Sequence, residues 1–378
     1  MTANLREQAY ESERILYMAL ELSNRKWRLA LSDGVHRRQK TIGAGDLLAL
    51  DEELAKTKAK WGLESARVVS CYEAGRDGFW LHRELERRGI ANLVIDAGSI
   101  EVSRRARRAK TDRLDAEALL AKLLRYCQGE RRVWQVVRVP PLEWEDRREL
   151  ERERGRLLKE RTAHRNRLTS ALVRHGLRVA IDGRFRSRLE QLCLSDGSPL
   201  PAHVKAALVR ELERLELVEA QLKALSAELK AALQDDEALK PAQRLLALGG
   251  LGPIGAWTLV LELFGWRAIA NRRELSSLCG LVPSPYNSGS MTREQGISKA
   301  GNRRVRALLI QLAWLWLRYQ PESKHSRWFQ ERFGGGSRRQ RRIGIVALAR
   351  RLVIDLWRFV ETGVVPEGAR LKEAVAAS

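Results

Sequence analysis

Apolar and polar positions alternate in short stretches over the first third of the chain and then change period. Residues 15–22 and 26–31 are short, apolar and partly alternating, with Ser23 and Asn24 between them, which predicts a β-hairpin, and residues 40–42 predict a third strand. Residues 47–61 have helical spacing, 67–71 form a β-branched run, 79–88 are helical again, and 93–96 read as another buried strand. Strands alternating with helices predict an α/β layer domain that ends near residue 140, where Pro140 and Pro141 punctuate the chain.

Beyond that point the pattern is helical. Residues 142–178 are dense in Arg and Glu with sparse apolar positions at Leu150, Leu157, Leu168 and Leu172, as in a long, largely solvated helix. A loop rich in Asp, Gly, Ser and Pro is expected over 181–201. Leu208, Leu215, Leu222 and Leu229 then recur every seven residues, with Leu212 and Leu233 on the adjoining seam, a coiled-coil signature. Two antiparallel helices forming a stalk fit this segment, either as an intramolecular hairpin or as a dimerisation arm. From 240 to about 362 the chain is mostly helical and strongly basic, and 366–378 reads as a frayed tail. The expected architecture is therefore α/β plus all-α, divided at 1–141, 142–238, 239–365 and 366–378.

Composition narrows the function. A chain of 378 residues with a net charge of +22 and 44% hydrophobic residues folds while carrying a large excess of Lys and Arg. Such a surplus is best satisfied by a polyanion, because each neutralised phosphate releases condensed counterions. Nucleic acid is the first expectation, although a membrane-surface or ribosomal protein would share the charge. Cys71, Cys127, Cys193 and Cys279 form no CxxC pair, which argues against a zinc site or a disulfide framework and fits a reducing cytoplasm. Charged residues from Arg6 to Arg14 leave no visible signal peptide, and the longest apolar stretch, 308–317, is too short to span a bilayer. A cytoplasmic protein without a membrane partner is expected.

Four acids stand where an α/β nuclease needs them. Glu21 lies near the end of the first strand, Glu73 follows the β-branched strand in Cys-Tyr-Glu-Ala-Gly, and Asp112 and Asp115 share a helix face in Lys-Thr-Asp-Arg-Leu-Asp-Ala. Carboxylates gathered at strand ends and on a facing helix can hold Mg²⁺, which activates the attacking oxygen and stabilises the leaving one in phosphodiester chemistry. Each acid alone also fits a blander role: the two aspartates as helix-N-terminal acids and Glu73 as a turn residue. The flanking Arg104, Arg105, Arg107, Arg108 and Lys110 favour the metal-dependent nucleic-acid site.

The C-terminal third adds two motifs. Leu-Leu-Ala-Leu-Gly-Gly-Leu-Gly-Pro-Ile-Gly-Ala at 245–256 fits a helix-hairpin-helix, in which Gly250 and Gly252 bring backbone amides close to a phosphate, or else a simple helix corner. Gly-Leu-Val-Pro-Ser-Pro-Tyr-Asn-Ser-Gly at 280–289 places Ser288 in a loop without regular pattern, and Lys299, Arg303, Arg304 and Arg306 follow at helix-compatible spacing. A serine attacking phosphorus needs a base or metal for its proton and cations around the phosphoryl oxygens. Cations are present, no base is obvious, and a lone loop serine is more commonly a local backbone partner. Trp328 among arginines could stack on a base, and the run Arg338, Arg339, Arg341 and Arg342 reads either as a mobile phosphate clamp or as a solvated loop.

Together these segments resemble the DEDD transposases of insertion-sequence family 110, over nearly the whole chain. The motifs that carry the resemblance are Glu-Ala-Gly at 73–75, the 110–116 segment, the helix-hairpin-helix, and Leu-Val-Pro through Ile-Ser-Lys-Ala-Gly-Asn-Arg-Arg. The resemblance implies an N-terminal RNase H/RuvC-like domain whose four acids, matched here by Glu21, Glu73, Asp112 and Asp115, bind Mg²⁺. It also implies a serine, matched by Ser288, that links covalently to DNA inside a dimer or tetramer guided by a structured RNA made from the element's own ends, acting on donor and target DNA. The family's first acid is normally Asp in Gly-Ile-Asp, whereas this chain has Ala19-Leu20-Glu21, one methylene longer. Ser290 is a near neighbour, and Ser288 is chosen over it on the match to Ser-Gly. Two other readings compete: a Holliday-junction-type endonuclease in which Mg²⁺ activates water, and a non-catalytic nucleic-acid scaffold.

Overall fold

The computed structural model describes residues 14–101, 112–288 and 291–372, without the side chains of 112–113 and 286–295. The alternating stretches at the start of the chain build a five-stranded sheet. β1 (Ile15–Leu22) turns at Ser23, whose hydroxyl donates to the Lys26 carbonyl (2.7 Å), into β2 (Lys26–Ser32), and β3 (Arg37–Gly43) completes an antiparallel meander. α1 (Leu47–Trp61) starts at Asp46, whose carboxylate accepts from the Ala49 amide, and leads to β4 (Arg67–Glu73). α2 (Trp80–Arg87) connects β4 to β5 (Ala91–Ile95). The strand order is β3-β2-β1-β4-β5, with β4 parallel to both of its neighbours. β4 is buried from Val68 to Tyr72, which is why it reads as a continuous apolar run with no alternation.

Period two sorts the sheet's side chains into two cores. Leu16, Met18 and Leu20 of β1 pack with Leu50 and Leu54 of α1 and Leu81 and Leu85 of α2. Ala19 and Ala30 lie in the other core, with Ala116, Leu119, Leu120 and Leu123 of α3 (Asp112–Cys127). Two alanines at the sheet centre leave room for α3 to lie close. This mixed α/β unit, Met1–Val139, is compatible with an RNase H-like domain.

The second unit, Pro140–Ser378, begins with two long helices. α4 (Leu142–Arg174) and α6 (Ala202–Asp235) have 33 and 34 residues, hence lengths of about 50 Å at the α-helical rise. They run antiparallel: Leu157 packs with Val218 and Leu222, and Leu168 and Leu172 pack with Leu208, Leu212 and Leu215. The heptad leucines are thus covered within the chain. Their charged faces pair across the hairpin, Arg165 with Glu219 (2.7 Å) and Arg167 with Glu211. Where a loop was expected, α5 (Phe185–Glu190) packs Phe185 and Leu189 against Leu168 and Leu208.

The remaining helices are α7 (Lys240–Leu246), α8 (Pro253–Leu259), α9 (Arg272–Leu278), α10 (Arg303–Tyr319), α11 (Lys324–Phe329) and α12 (Arg338–Thr362). Trp257, Trp316 and Phe329 are fully buried in their common core. Three expectations are corrected here. The segment around Ser288 is not irregular: β6 (Pro283–Ser288) and β7 (Met291–Ile297) form an antiparallel ribbon in which Ser288 pairs with Met291. Arg338, Arg339, Arg341 and Arg342 are neither a mobile clamp nor a solvated loop but the first turns of α12, fixed by a capping box between Ser337 and Gln340. Residues 366–372 are not frayed, since Leu371 bridges to Leu248 and the Lys372 ammonium donates to the Leu246 and Leu251 carbonyls (2.7 and 2.8 Å). Among the described residues no helix is long and apolar enough to cross a membrane.

Candidate active site

The sorting that makes the two cores also sets the strand ends. Tyr17 and Ala19 of β1 and Val69 and Cys71 of β4 belong to the α3 side of the sheet, so Glu21 and Glu73, two residues further on, continue those rows. In the parallel register Leu20 lies opposite Tyr72, which brings the two glutamates side by side where β1 and β4 end. On α3, Asp115 precedes the sheet-facing Ala116 and Leu119 by one and four residues, and Asp112 stands one turn earlier on the same stripe. Glu21, Glu73 and Asp115 line one cleft of about 740 Å³. Asp112 is the first residue of α3, and its side chain lies outside the description.

Asp77, Glu101, Arg76 and Lys122 also line this cleft and were missed by the sequence reading. Lys122 follows Asp115 by two helical turns, so its spacing was an available signal. The donor set consists of hard carboxylate oxygens, which suit Mg²⁺ or Mn²⁺ over softer ions. Among the described residues no group of three or more acidic, histidine or cysteine side chains is placed so that it could hold a metal ion. An open arrangement fits Mg²⁺, which takes one or two protein carboxylates and fills its shell with water and substrate phosphate. Glu21, Glu73 and Asp115 therefore offer hard oxygen donors from one open cleft, which suit a divalent ion held by one or two of them. The basic residues expected beside them, Arg104, Arg105, Arg107, Arg108 and Lys110, lie outside the described residues.

In the second unit Ser288 ends β6, and its side chain, like that of Ser290, lies outside the description. The loop after β7 is held tightly. Gly301 has φ +115°, and a Cβ there would stand 2.5 Å from the Leu278 carbonyl, so only glycine fits. Lys299 sits at φ +57°, and Arg306 donates to its carbonyl (2.9 Å). Arg306 is thereby engaged with backbone, whereas Arg303 is exposed at the start of α10 and Arg304 pairs with Glu151 of α4 (3.3 Å). Burial pushes the Glu151 carboxyl above its ordinary range despite Arg304. Asn302 caps α10 and donates to the buried Glu262 (2.8 Å), and Arg148 donates to the Leu261 carbonyl (3.1 Å). These anchors fix the basic start of α10 to the base of the hairpin. Gly250 lies at φ +90° between α7 and α8, with Tyr319 of α10 3.3 Å from where a Cβ would be, and Gly252 caps α8. The two buried thiols are inert: burial raises Cys71, and Cys279 is pushed up to about 12.

Comparison with known proteins bears on both units. The family model described as "Transposase IS116/IS110/IS902 family" matches residues 242–327, and a DEDD IS110 model described as "Transposase" matches residues 39–176. The chain is 42% identical over 98% of its length to a Sinorhizobium fredii protein, y4rJ, described as a transposase, of which it covers 99%. It is 29% identical to the transposase for insertion sequence element IS1111A of Coxiella burnetii, over 66% of each chain. It is also 29% identical to the transposase for insertion sequence element IS1328 of Yersinia enterocolitica, over 57% of this chain and 63% of that one.

Proposed function

Given that this chain belongs to the IS116/IS110/IS902 family of DNA transposases, enzymes that cut and rejoin DNA, we propose that it does so with a serine nucleophile assisted by a Mg²⁺-binding carboxylate site. The observation that carries this reading is that Glu21, Glu73 and Asp115, separated by up to 94 positions along the chain, line one cleft. A DEDD-type domain suggests dependence on a divalent metal, and the hard oxygen donors favour Mg²⁺. When bound, the ion supplies Lewis-acid stabilisation of charge on the reacting oxygens.

The chain's own residues divide the remaining work. Glu21, Glu73, Asp112 and Asp115 hold the ion, and Lys122 and Arg76 balance part of their charge and orient a phosphate. Ser288 at the end of β6 is the attacking hydroxyl, so the energy of the cut phosphodiester is kept in a covalent link and used in rejoining. Arg303 and Lys299 meet phosphate oxygens, while Arg306 positions the Lys299 turn. Gly250 and Gly252 in the α7–α8 turn act as a helix-hairpin-helix contact to DNA. The first unit is taken as RuvC-like, with the basic segment from Arg104 to Lys110 beside its acids. The α4–α6 hairpin serves as a coiled-coil stalk in a dimer or tetramer, since joining two DNA ends needs more than one site. A structured RNA from the element's ends guides it, a role for which a net charge of +22 leaves ample cation.

The test separates serine attack from attack by activated water. Purified protein, the element's flanking DNA and its noncoding transcript are incubated with Mg²⁺ and then denatured. A protein–DNA adduct that Ser288→Ala removes, together with strand exchange, is the expected result. Cutting that survives Ser288→Ala without any adduct would replace this reading with a hydrolytic nuclease.

A further inference from the structure

A second cleft lies wholly within Pro140–Ser378. Its volume is about 700 Å³, and it is bounded by α9, α12 and the open end of the β6–β7 ribbon, where Pro283 and Ile297 pair. The floor is apolar, formed by Leu281, Val346 and Ile354, and Ile343 stands 56% exposed among the lining residues. The walls carry Arg272, Arg273, Arg339, Arg342, Arg350 and Arg351, and among the described residues no acidic residue lines the cleft. Among the described residues, Arg272, Arg273, Arg339 and Arg342 reach no carboxylate, whereas hairpin arginines such as Arg165 and Arg167 are paired with Glu219 and Glu211.

Six like charges around one groove repel each other unless a polyanion enters. Phosphate alone would not need the apolar floor, but an unpaired base would. In a duplex the base faces are already stacked, so the floor selects a single strand. Trp328 lines the same groove with the Arg351 guanidinium 4.3 Å above its ring, which offers a π-surface and a guanidinium plane side by side. Bases stack on both kinds of surface. β6 leads from Pro283 in the groove to Ser288 in five residue steps, a reach of about 17 Å.

We infer that this groove holds an unpaired DNA strand next to the phosphate that is cut, with its phosphates on Arg339 and Arg342 and a base against Ile343 and Trp328. The choice of DNA rests on the reading of Ser288 as the residue that attacks it; the groove's chemistry does not depend on that reading.

Arg338, Arg339, Arg341 and Arg342 supply an internal control, because all four are exposed on the first turns of α12 and only Arg339 and Arg342 line the groove. Binding of a short fluorescein-labelled single-stranded DNA is measured by anisotropy across a salt series, using the full chain carrying Ser288→Ala so that no covalent step intervenes. Arg339→Gln with Arg342→Gln is expected to weaken binding about tenfold or more and to lower the slope of log K against log salt by about 1.4, two contacts at about 0.7 each. Arg338→Gln with Arg341→Gln removes the same charge and is expected to cost less than about threefold. Ile343→Ser should weaken single-strand binding and leave blunt duplex binding unchanged. Equal losses for the two arginine pairs would overturn the inference, as would groove-dependent binding that prefers RNA of the same sequence. The covalent adduct of the wild-type protein is read separately: its absence with groove-dependent binding intact sinks only the serine mechanism, and its presence with no groove dependence sinks only this inference.

Discussion

Among the described residues, five carboxylates and two cations line the cleft at the strand ends of the first unit, whereas six arginines and no acid line the groove of the second. The α4–α6 hairpin is also densely charged, yet several of its arginines meet glutamates across it, Arg165 with Glu219 and Arg167 with Glu211. The difference separates charge that serves the fold from charge that waits for a ligand. Mixed charge on a helical face is neutralised locally and contributes little to stability. Charge of one sign gathered in a concave site opposes folding and is held there by the scaffold, so a cation is the natural complement of the cleft and a nucleic-acid phosphate that of the groove.

The contrast can be broken most strongly at the cleft. Asp115→Asn or Glu73→Gln should lower DNA cutting by about 10³-fold or more, equivalent to about 4 kcal/mol, while the melting temperature holds or rises because mutual repulsion is relieved. A fall in melting temperature that tracks the activity would mean that these acids hold the fold. The hairpin should respond in the opposite way. Leu212 is 4% exposed between α6 and α4, so Leu212→Ala should destabilise the second unit by about 2–5 kcal/mol in urea unfolding, whereas Glu219→Gln at the paired surface should change it by under about 1 kcal/mol.

Smaller effects sharpen the comparison. At the first acid, Glu21→Asp keeps a carboxylate and should retain cutting within about tenfold, whereas Glu21→Gln removes the charge and should cost about a hundredfold. The smallest effect concerns Asp355 of α12. Burial alone would raise this carboxyl, but its hydrogen bond with His325 (2.7 Å) and the nearby arginines prevail and hold it below its ordinary range. A carboxyl lowered by folding stabilises the native state above its unfolded pKa of about 4, and that contribution is lost as pH falls through the native value. Urea midpoints between pH 5 and pH 3 should therefore fall more steeply for the wild type than for Asp355→Asn; parallel curves would remove the pair from the account.

Much of this was legible in residue order. The strands of the first unit, the long helices and the leucine seam follow from periods of two, 3.6 and seven, and each period has a buried face to enforce it. Glu21 and Glu73 were legible for the same reason, since the row that buries Ala19 and Cys71 must end in them. The β6–β7 ribbon was not, because Pro283 and Pro285 interrupt any strand pattern and an isolated ribbon need not alternate. The start of α12 was read as a loop from its run of arginines, although Ser337 and Gln340 already spelled a capping box. Arg306 could not have been assigned from sequence: its partners, the Lys299 and Cys279 carbonyls, are set by the fold and not by spacing.

The central claim is that the carboxylates of the first unit hold the divalent ion used in DNA chemistry. The most direct measurement is Mn²⁺ binding followed by electron paramagnetic resonance, on the wild-type chain and on Asp115→Asn and Glu73→Gln. The account predicts that each substitution weakens the tightest Mn²⁺ site at least about tenfold and that Mg²⁺ competes for that site in the wild type. Unchanged Mn²⁺ affinity in both variants would contradict it.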